Sequence, residues 1–110
     1  MTEHEDSVRI RHMLDAAKKA REFIEGKQRA HLDEDEQLCL ALIRLLEIIG
    51  EAAKSVSPEL QRQQPDIPWK EIAGTRDRLI HGYFDVDLNI VWEIVSTDLP
   101  RLIPILEKIT

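Results

Sequence analysis

Trp69-Lys70-Glu71-Ile72-Ala73-Gly74-Thr75-Arg76-Asp77-Arg78-Leu79-Ile80-His81-Gly82-Tyr83 is the stretch that decides the fold. Its apolar residues, Trp69, Ile72, Ala73, Leu79 and Ile80, recur at the three-and-four spacing of a helix's buried stripe. The spacing predicts a helix that starts near Pro68, where proline is tolerated in the first turn. Gly82 suits its end, because glycine adopts the left-handed conformation of a helix stop. Arg76 falls on the apolar stripe, and Tyr83 follows on the same face if the helix runs that far. An arginine costs too much to bury without a partner or a task. The stretch therefore departs from its own pattern at Arg76, with His81 close by, and such departures are where function concentrates.

Working outward, the chain from Leu38 to Val56 is apolar around much of its circumference, so it is expected to be the most buried helix. It opens on Asp33-Glu34-Asp35-Glu36, acidic residues that favour the positive end of a helix. Gly50 inside it costs about 1 kcal/mol relative to alanine, which implies close approach by another backbone. A first helix is expected from Asp6 to Gly26, with Ile10, Met13, Leu14, Ala17, Ala20 and Ile24 inward. Arg9, Lys18, Lys19 and Glu25 fall mostly on its wet side. Ser57-Pro58 ends or redirects the second helix, and Gln61 to Pro68 reads as a polar connection. Asp87 can cap a fourth helix with the stripe Leu88, Val91, Trp92 and Val95. Leu99, Leu102, Ile103 and Leu106 continue that stripe past Pro100, where a bend or break is expected before a final amphipathic helix. No strand-like alternation of useful length and no repeat interrupts this pattern. The expectation is an all-α, up-and-down helical bundle of four main helices with a short extra helix, forming one domain over residues 1–110.

Composition supports that class. A chain of 110 residues suffices for one core, and 43% hydrophobic with 33% charged residues describes a globular protein rather than a disordered one. The longest apolar run, Leu38 to Ile43, is far short of a membrane span. The acidic stretch from Met1 to Asp6 has no signal-like region. Cys39 is alone, which excludes an intrachain disulfide and a cysteine-based metal site. A cytoplasmic protein with no membrane partner is expected. The net charge of −6 argues against a general nucleic-acid binder. Any RNA-directed function must then work through a few placed arginines in a groove.

Each candidate residue has a plain and a chemical reading. His81 can interact with free carbonyls at a helix end, or act as an acid or base near its natural pKa of about 6.5. Arg76 can form a buried ion pair, with Glu51 on the apolar second helix as partner. Its guanidinium is also the side chain best shaped to hold a phosphate through parallel hydrogen bonds. A carboxylate could orient it while its other donors face a substrate. Tyr83 reads as a rim residue with a wet hydroxyl, and Asp77 and Arg78 as solvated charges. Arg44 is expected to snorkel or to pair with Glu47. His4, His12 and His31 lack ligand-like spacing, no HExxH pattern exists, and the acidic run lacks the alternation and glycine of a calcium loop.

The blocks Ile48-Ile49-Gly50-Glu51-Ala52-Ala53-Lys54, Ile67 to Gly74, Arg76 to Phe84, Val86-Asp87 and Val91-Trp92 resemble the HepT-like family of HEPN-domain toxins. The resemblance is strong from about Ile48 onward and holds for the first helix by pattern only. It implies a helical-bundle ribonuclease of a type II toxin–antitoxin system that needs no metal or other cofactor and usually dimerises. The family's RX4HXY motif matches Arg76, His81 and Tyr83 without a gap, and Asp77 fits the polar position after the arginine. The partner it implies is an MNT-type nucleotidyltransferase antitoxin that adenylylates the motif tyrosine, Tyr83.

The chemistry agrees with this expectation. RNA carries its own nucleophile, the ribose 2′-hydroxyl, so cleavage requires proton transfer by His81 and charge stabilisation by Arg76. One chain supplies one motif histidine, whereas the reaction wants both an acid and a base. A two-fold homodimer supplies two copies across one groove, with the third helix and its neighbour as the expected interface. The products would carry cyclic phosphate and 5′-hydroxyl ends. Two alternatives stay open: a non-catalytic HEPN subunit that docks a nucleotidyltransferase and binds nucleotide or RNA, and a structural bundle in which Arg76 and Glu51 form a buried pair.

Overall fold

The periodicity of the first segment becomes α1 (Glu3–Phe23). Ile10, Met13, Leu14, Ala17, Ala20 and, just past its end, Ile24 are all buried. The computed structural model describes residues 3–79 and 85–110. After α1 the chain turns through Gly26, whose φ of 75° disfavours any Cβ. The acidic run then divides between two helices. Asp33 and Glu34 lie in the single-turn α2 (His31–Glu34), and Asp35 precedes α3 (Glu36–Ser55). The Asp35 carboxylate accepts the Leu38 N–H at 3.0 Å and caps α3.

α3 is the centre of the fold, burying Leu42, Leu45, Leu46, Ile49, Gly50, Ala52 and Ala53. It packs on α1 along its length, and one buried polar contact fixes their direction. Asp6, near the start of α1 and only 9% exposed, accepts the Ser57 N–H at 2.9 Å and the Ser57 hydroxyl at 2.6 Å. Ser57 follows the end of α3, so the two helices run antiparallel. Hydrogen bonds to a charged acceptor contribute about 1.5–3 kcal/mol each, enough to make this corner a clamp. Ser57 Oγ also accepts the Leu60 N–H at 3.2 Å. Ser-Pro therefore redirects the chain by starting a new helix, α4 (Pro58–Gln63), with proline in its first turn.

The helix expected from Pro68 to Gly82 is not continuous. It forms α5 (Trp69–Ala73) and α6 (Thr75–Leu79), parted at Gly74, whose φ of −88° and ψ of 8° leave the helical range. Thr75, three residues after Ile72 and four before Leu79, takes the inward place that the sequence reading assigns to Arg76. Thr75 is buried, its hydroxyl donating to the Glu71 carbonyl at 3.3 Å, and Arg76 is exposed. The close approach expected at Gly50 is present: a Cβ there would lie 3.1 Å from the Ile72 carbonyl oxygen. Trp69 anchors the start of α5 by donating its indole N–H to the Gln64 carbonyl at 3.0 Å.

Asp87 caps α7 (Leu88–Glu93), accepting the N–H groups of Asn89 and Ile90 at 3.0 and 3.2 Å. The bend or break expected at Pro100 takes another form. The helix widens into a π turn over Ile94–Asp98 and continues as α8 (Leu99–Ile109). The Leu99 N–H bonds to Ile94, five residues back. Proline at position 100 has no N–H to give, and its ring would clash with the carbonyl four residues earlier in a regular helix. The wider turn removes both conflicts without breaking the rod. α8 returns along α1, where Leu102 and Leu106 join the same buried cluster as Met13 and Leu42. The result is an all-α bundle, and no described helix is long and apolar enough to cross a membrane.

Candidate functional site

α6 places Arg76, Asp77 and Arg78 on the surface, with Thr75 and Leu79 as its buried residues. Arg76 is thus held by a turn whose inner side rests on Gly50 of α3, through Ile72 and Thr75. Immediately beyond α6 the Asp87 N–H donates to the Leu79 carbonyl at 2.8 Å. Described residues therefore pin together the two ends of the segment that carries the rest of the motif. His81 and Tyr83 themselves lie outside the described residues.

The buried Arg76–Glu51 pair does not form. Arg76 and Glu51 are both exposed, and no ion pair joins them. The reason is that Thr75 and Leu79 form the buried side of α6, which leaves Arg76 outside the stripe. Its guanidinium is consequently open to a ligand rather than consumed by a carboxylate. Glu51 instead faces a cleft of about 310 Å³ between α1 and α3, lined also by Arg9, His12, Arg44, Ile48, Ala52 and Ser55. Arg44 is exposed and makes no ion pair with Glu47. Arg9, expected on the wet side, is half-buried, and its Nε is buried with no hydrogen-bond partner. Sequence spacing offered no sign of this cleft, because its cations come from helices remote in the chain.

A larger cavity of about 630 Å³ opens on the other side of α6. Leu46, Ile49, Ile72, Ile94 and Leu102 are among its apolar lining, with Arg78 and Arg101 set against Asp66, Glu71, Glu93 and Asp98. Arg76 does not line it. Residues two apart on a helix point to nearly opposite sides, so Arg78 rather than the motif arginine serves this cavity, and its acidic edge is unsuited to phosphate.

The remaining candidates have structural tasks. His31 accepts the Gln28 N–H at 2.8 Å through Nδ1. Burial pushes the Cys39 thiol above its ordinary value; Arg29 opposes this, and Asp33 and Glu36 add to it. Among the described residues no three His, Cys, Asp or Glu side chains are grouped to hold a metal ion. Among the described residues the exposed large apolar side chains are Leu40 on α3, 58% exposed, and Phe23 at the end of α1. Of the third-helix residues expected near a dimer interface, Trp69 and Leu79 are buried in the bundle, Ile72 is half-buried, and Ile80 lies outside the described residues.

The model of the family described as "Ribonuclease HepT-like" matches residues 13–109, from within α1 to the end of α8. The chain belongs to the HepT-like ribonuclease family. It is 47% identical over 75 residues to a protein of Thermococcus cleftensis named "Probable ribonuclease HepT", covering 68% of each chain. It is also 40% identical over 93 residues to "Putative RNase TTE0752" of Caldanaerobacter subterraneus subsp. tengcongensis, covering 84% of this chain and 83% of the relative. A Methanocaldococcus jannaschii protein named "Gamma-glutamylcyclotransferase and putative RNase MJ0434" is 40% identical over 93 residues, across 84% of this chain and 42% of its own length. No solved structure matches the chain at a significant level.

Proposed function

We propose that this protein is a metal-independent endoribonuclease toxin of a type II toxin–antitoxin system. Arg76 stabilises the crowded phosphate of the transition state and His81 transfers protons, with the ribose 2′-hydroxyl as nucleophile. The observation that carries the proposal is Arg76, exposed and without an ion pair among the described residues, on a helix braced from behind by Gly50, in a HepT-like family member. A guanidinium with no carboxylate partner keeps all its donors available to a phosphate. Asp77, exposed beside Arg76, adds a polar neighbour that can order an incoming ribose or water.

A homodimer would provide acid and base from two copies of His81. Leu40, exposed on α3, is the described apolar side chain most open to a partner copy. An MNT-type nucleotidyltransferase would silence the toxin by attaching AMP from ATP to Tyr83. The added phosphate would compete with RNA for Arg76 by charge and by volume.

The test is cleavage of single-stranded RNA by purified protein in EDTA. Arg76→Ala and His81→Ala should each abolish it while helical content remains. Activity lost on chelation and restored by a divalent ion would defeat the mechanism. RNA binding that survives His81→Ala, with wild-type protein never cutting, would point to a non-catalytic binding subunit. Co-expression with the antitoxin should add an AMP-sized mass to Tyr83, and Tyr83→Phe should escape neutralisation.

A further inference from the structure

The cleft between α1 and α3 concentrates positive charge in a chain whose net charge is −6. Arg9 and His12 stand one turn apart on α1 and Arg44 faces them from α3, with Glu51 as the single carboxylate in the lining. None of these four side chains is taken up by an ion pair or hydrogen bond among the described residues, unlike Arg11, Lys18 and Arg29, which pair with Asp15, Glu107 and Asp33. Arg9 is the sharpest case: its Nε is buried and meets no acceptor. Leaving a buried donor unmade costs about 1–3 kcal/mol, and more when the group is charged. Ile48 and Ala52 wall the cleft, whose volume of about 310 Å³ sits at the lower end of small-ligand sites. That size suits a phosphate with its sugar, and the guanidinium fork suits its oxygens.

Position selects the source of that phosphate. Glu51, on the cleft's edge, directly follows Gly50, which packs on Ile72 and Thr75, the residue before Arg76. The edge of the cleft and the packing beneath the α6 turn are therefore adjacent residues of α3. We propose that this cleft holds a backbone phosphate of an RNA strand whose neighbouring part lies at Arg76, through Arg9, His12 and Arg44. The proposal rests on the ribonuclease reading for its ligand but makes no use of the chemistry at His81. Arg9 and Arg44 act as binding and positioning residues, and Glu51 limits how closely a second phosphate can approach.

The test is fluorescence-anisotropy titration of a 2′-O-methyl RNA oligomer, which lacks the free nucleophile and stays intact, across a series of salt concentrations. Arg44→Gln and Arg9→Gln should each weaken binding several-fold. Each should lower the slope of log affinity against log salt by about 0.7, the value per contact for single strands. Arg44→Lys should retain the slope, and Arg62→Gln, a charge-matched change on α4, should retain both quantities. Arg44 is exposed, so its variants report even if Arg9→Gln fails to fold. An Arg44→Gln protein indistinguishable from Arg62→Gln would overturn the proposal. So would inorganic phosphate that binds in an Arg9- and Arg44-dependent way while RNA affinity is unchanged, which would make the cleft a free-anion site. Wild-type protein that never cuts RNA yet binds it with this arginine dependence would sink the ribonuclease reading and support the cleft.

Discussion

Replacing Gly50 tests the contact that links the fold to the site. A Cβ at this position would stand 3.1 Å from the Ile72 carbonyl oxygen, short of the 3.4 Å at which ordinary contact begins, with the Ala73 carbonyl at 3.8 Å and the Thr75 Cβ at 4.0 Å. Two effects oppose each other in Gly50→Ala. Alanine in a helix interior gains about 0.8–1 kcal/mol over glycine. Pushing a backbone carbonyl away costs about 1–3 kcal/mol when the neighbours are packed. The obstacle is backbone rather than a flexible side-chain tip, so packing should win and Gly50→Ala should be less stable by about 1 kcal/mol. Gly50→Val adds further methyl groups to the same crowded contact and, being β-branched, gains less helix propensity than alanine, and should cost about 3 kcal/mol. α5 and α6 must then shift outward, carrying Arg76. Because misplacement by about 1 Å can cost 100-fold in rate, RNA cleavage by Gly50→Val should fall at least tenfold under conditions where the protein remains folded. Urea denaturation gives the stability change and single-turnover cleavage the rate. An alanine variant stabilised by the full propensity gain, with a valine variant of unchanged stability and activity, would refute the close approach and with it the bracing of Arg76.

Asp6→Ala should destabilise the bundle by about 2–4 kcal/mol, since it strips two hydrogen bonds from Ser57 at the corner between α3 and α4; chemical denaturation would check it. Asp87→Ala should cost about 1 kcal/mol through loss of the α7 cap, measurable as a lowered Tm. The raised pKa of Cys39 and its partial burial should make it react more slowly than a free thiol with Ellman's reagent at pH 8. The sign follows from the smaller thiolate fraction at any pH below the raised value, so the gap should narrow as pH increases.

The core was legible because burial obeys period. Every residue of the stripe expected on α1 is buried, as are Leu99, Leu102 and Leu106 on α8. The cap at Asp87 and the close approach at Gly50 were legible for a different reason: both are local statements about one residue's chemistry, and neighbours do not override them. The orientation of Arg76 was not legible. Thr75 and Arg76 stand three and four residues after Ile72, so helical spacing admits either inward, and the structure buries Thr75. The motif itself was visible in the sequence, but its arginine does the opposite of what an apolar stripe suggests. The π turn was half visible, since proline announces a conflict at position 100 without saying whether the helix will break or widen. The cleft of Arg9, His12 and Arg44 carried no sequence signal, because no spacing rule joins residues 9 and 44.

An acidic protein acting on RNA raises a question that placement answers better than total charge. Long-range attraction is screened beyond about 8 Å at physiological ionic strength, so a strand near the surface responds to the nearest few groups. Among the described residues ion pairs engage Arg11, Lys18 and Arg29, whereas Arg9, Arg44 and Arg76, like the other lysines and arginines, make none. Exposed pairs of this kind add little stability, so their main physical effect is to neutralise charge where no substrate is proposed to lie. Arg9 on α1 and Arg44 on α3 line the cleft that Glu51 edges, and Gly50, next to Glu51, lies beneath the α6 turn that carries Arg76. A strand bound there meets local positive charge while the remaining surface repels it. That repulsion favours a single path over the protein rather than diffuse coating, and it predicts an affinity set by few contacts. A salt slope much steeper than the Arg9, Arg44 and Arg76 contacts can supply would mean that other cations carry the binding.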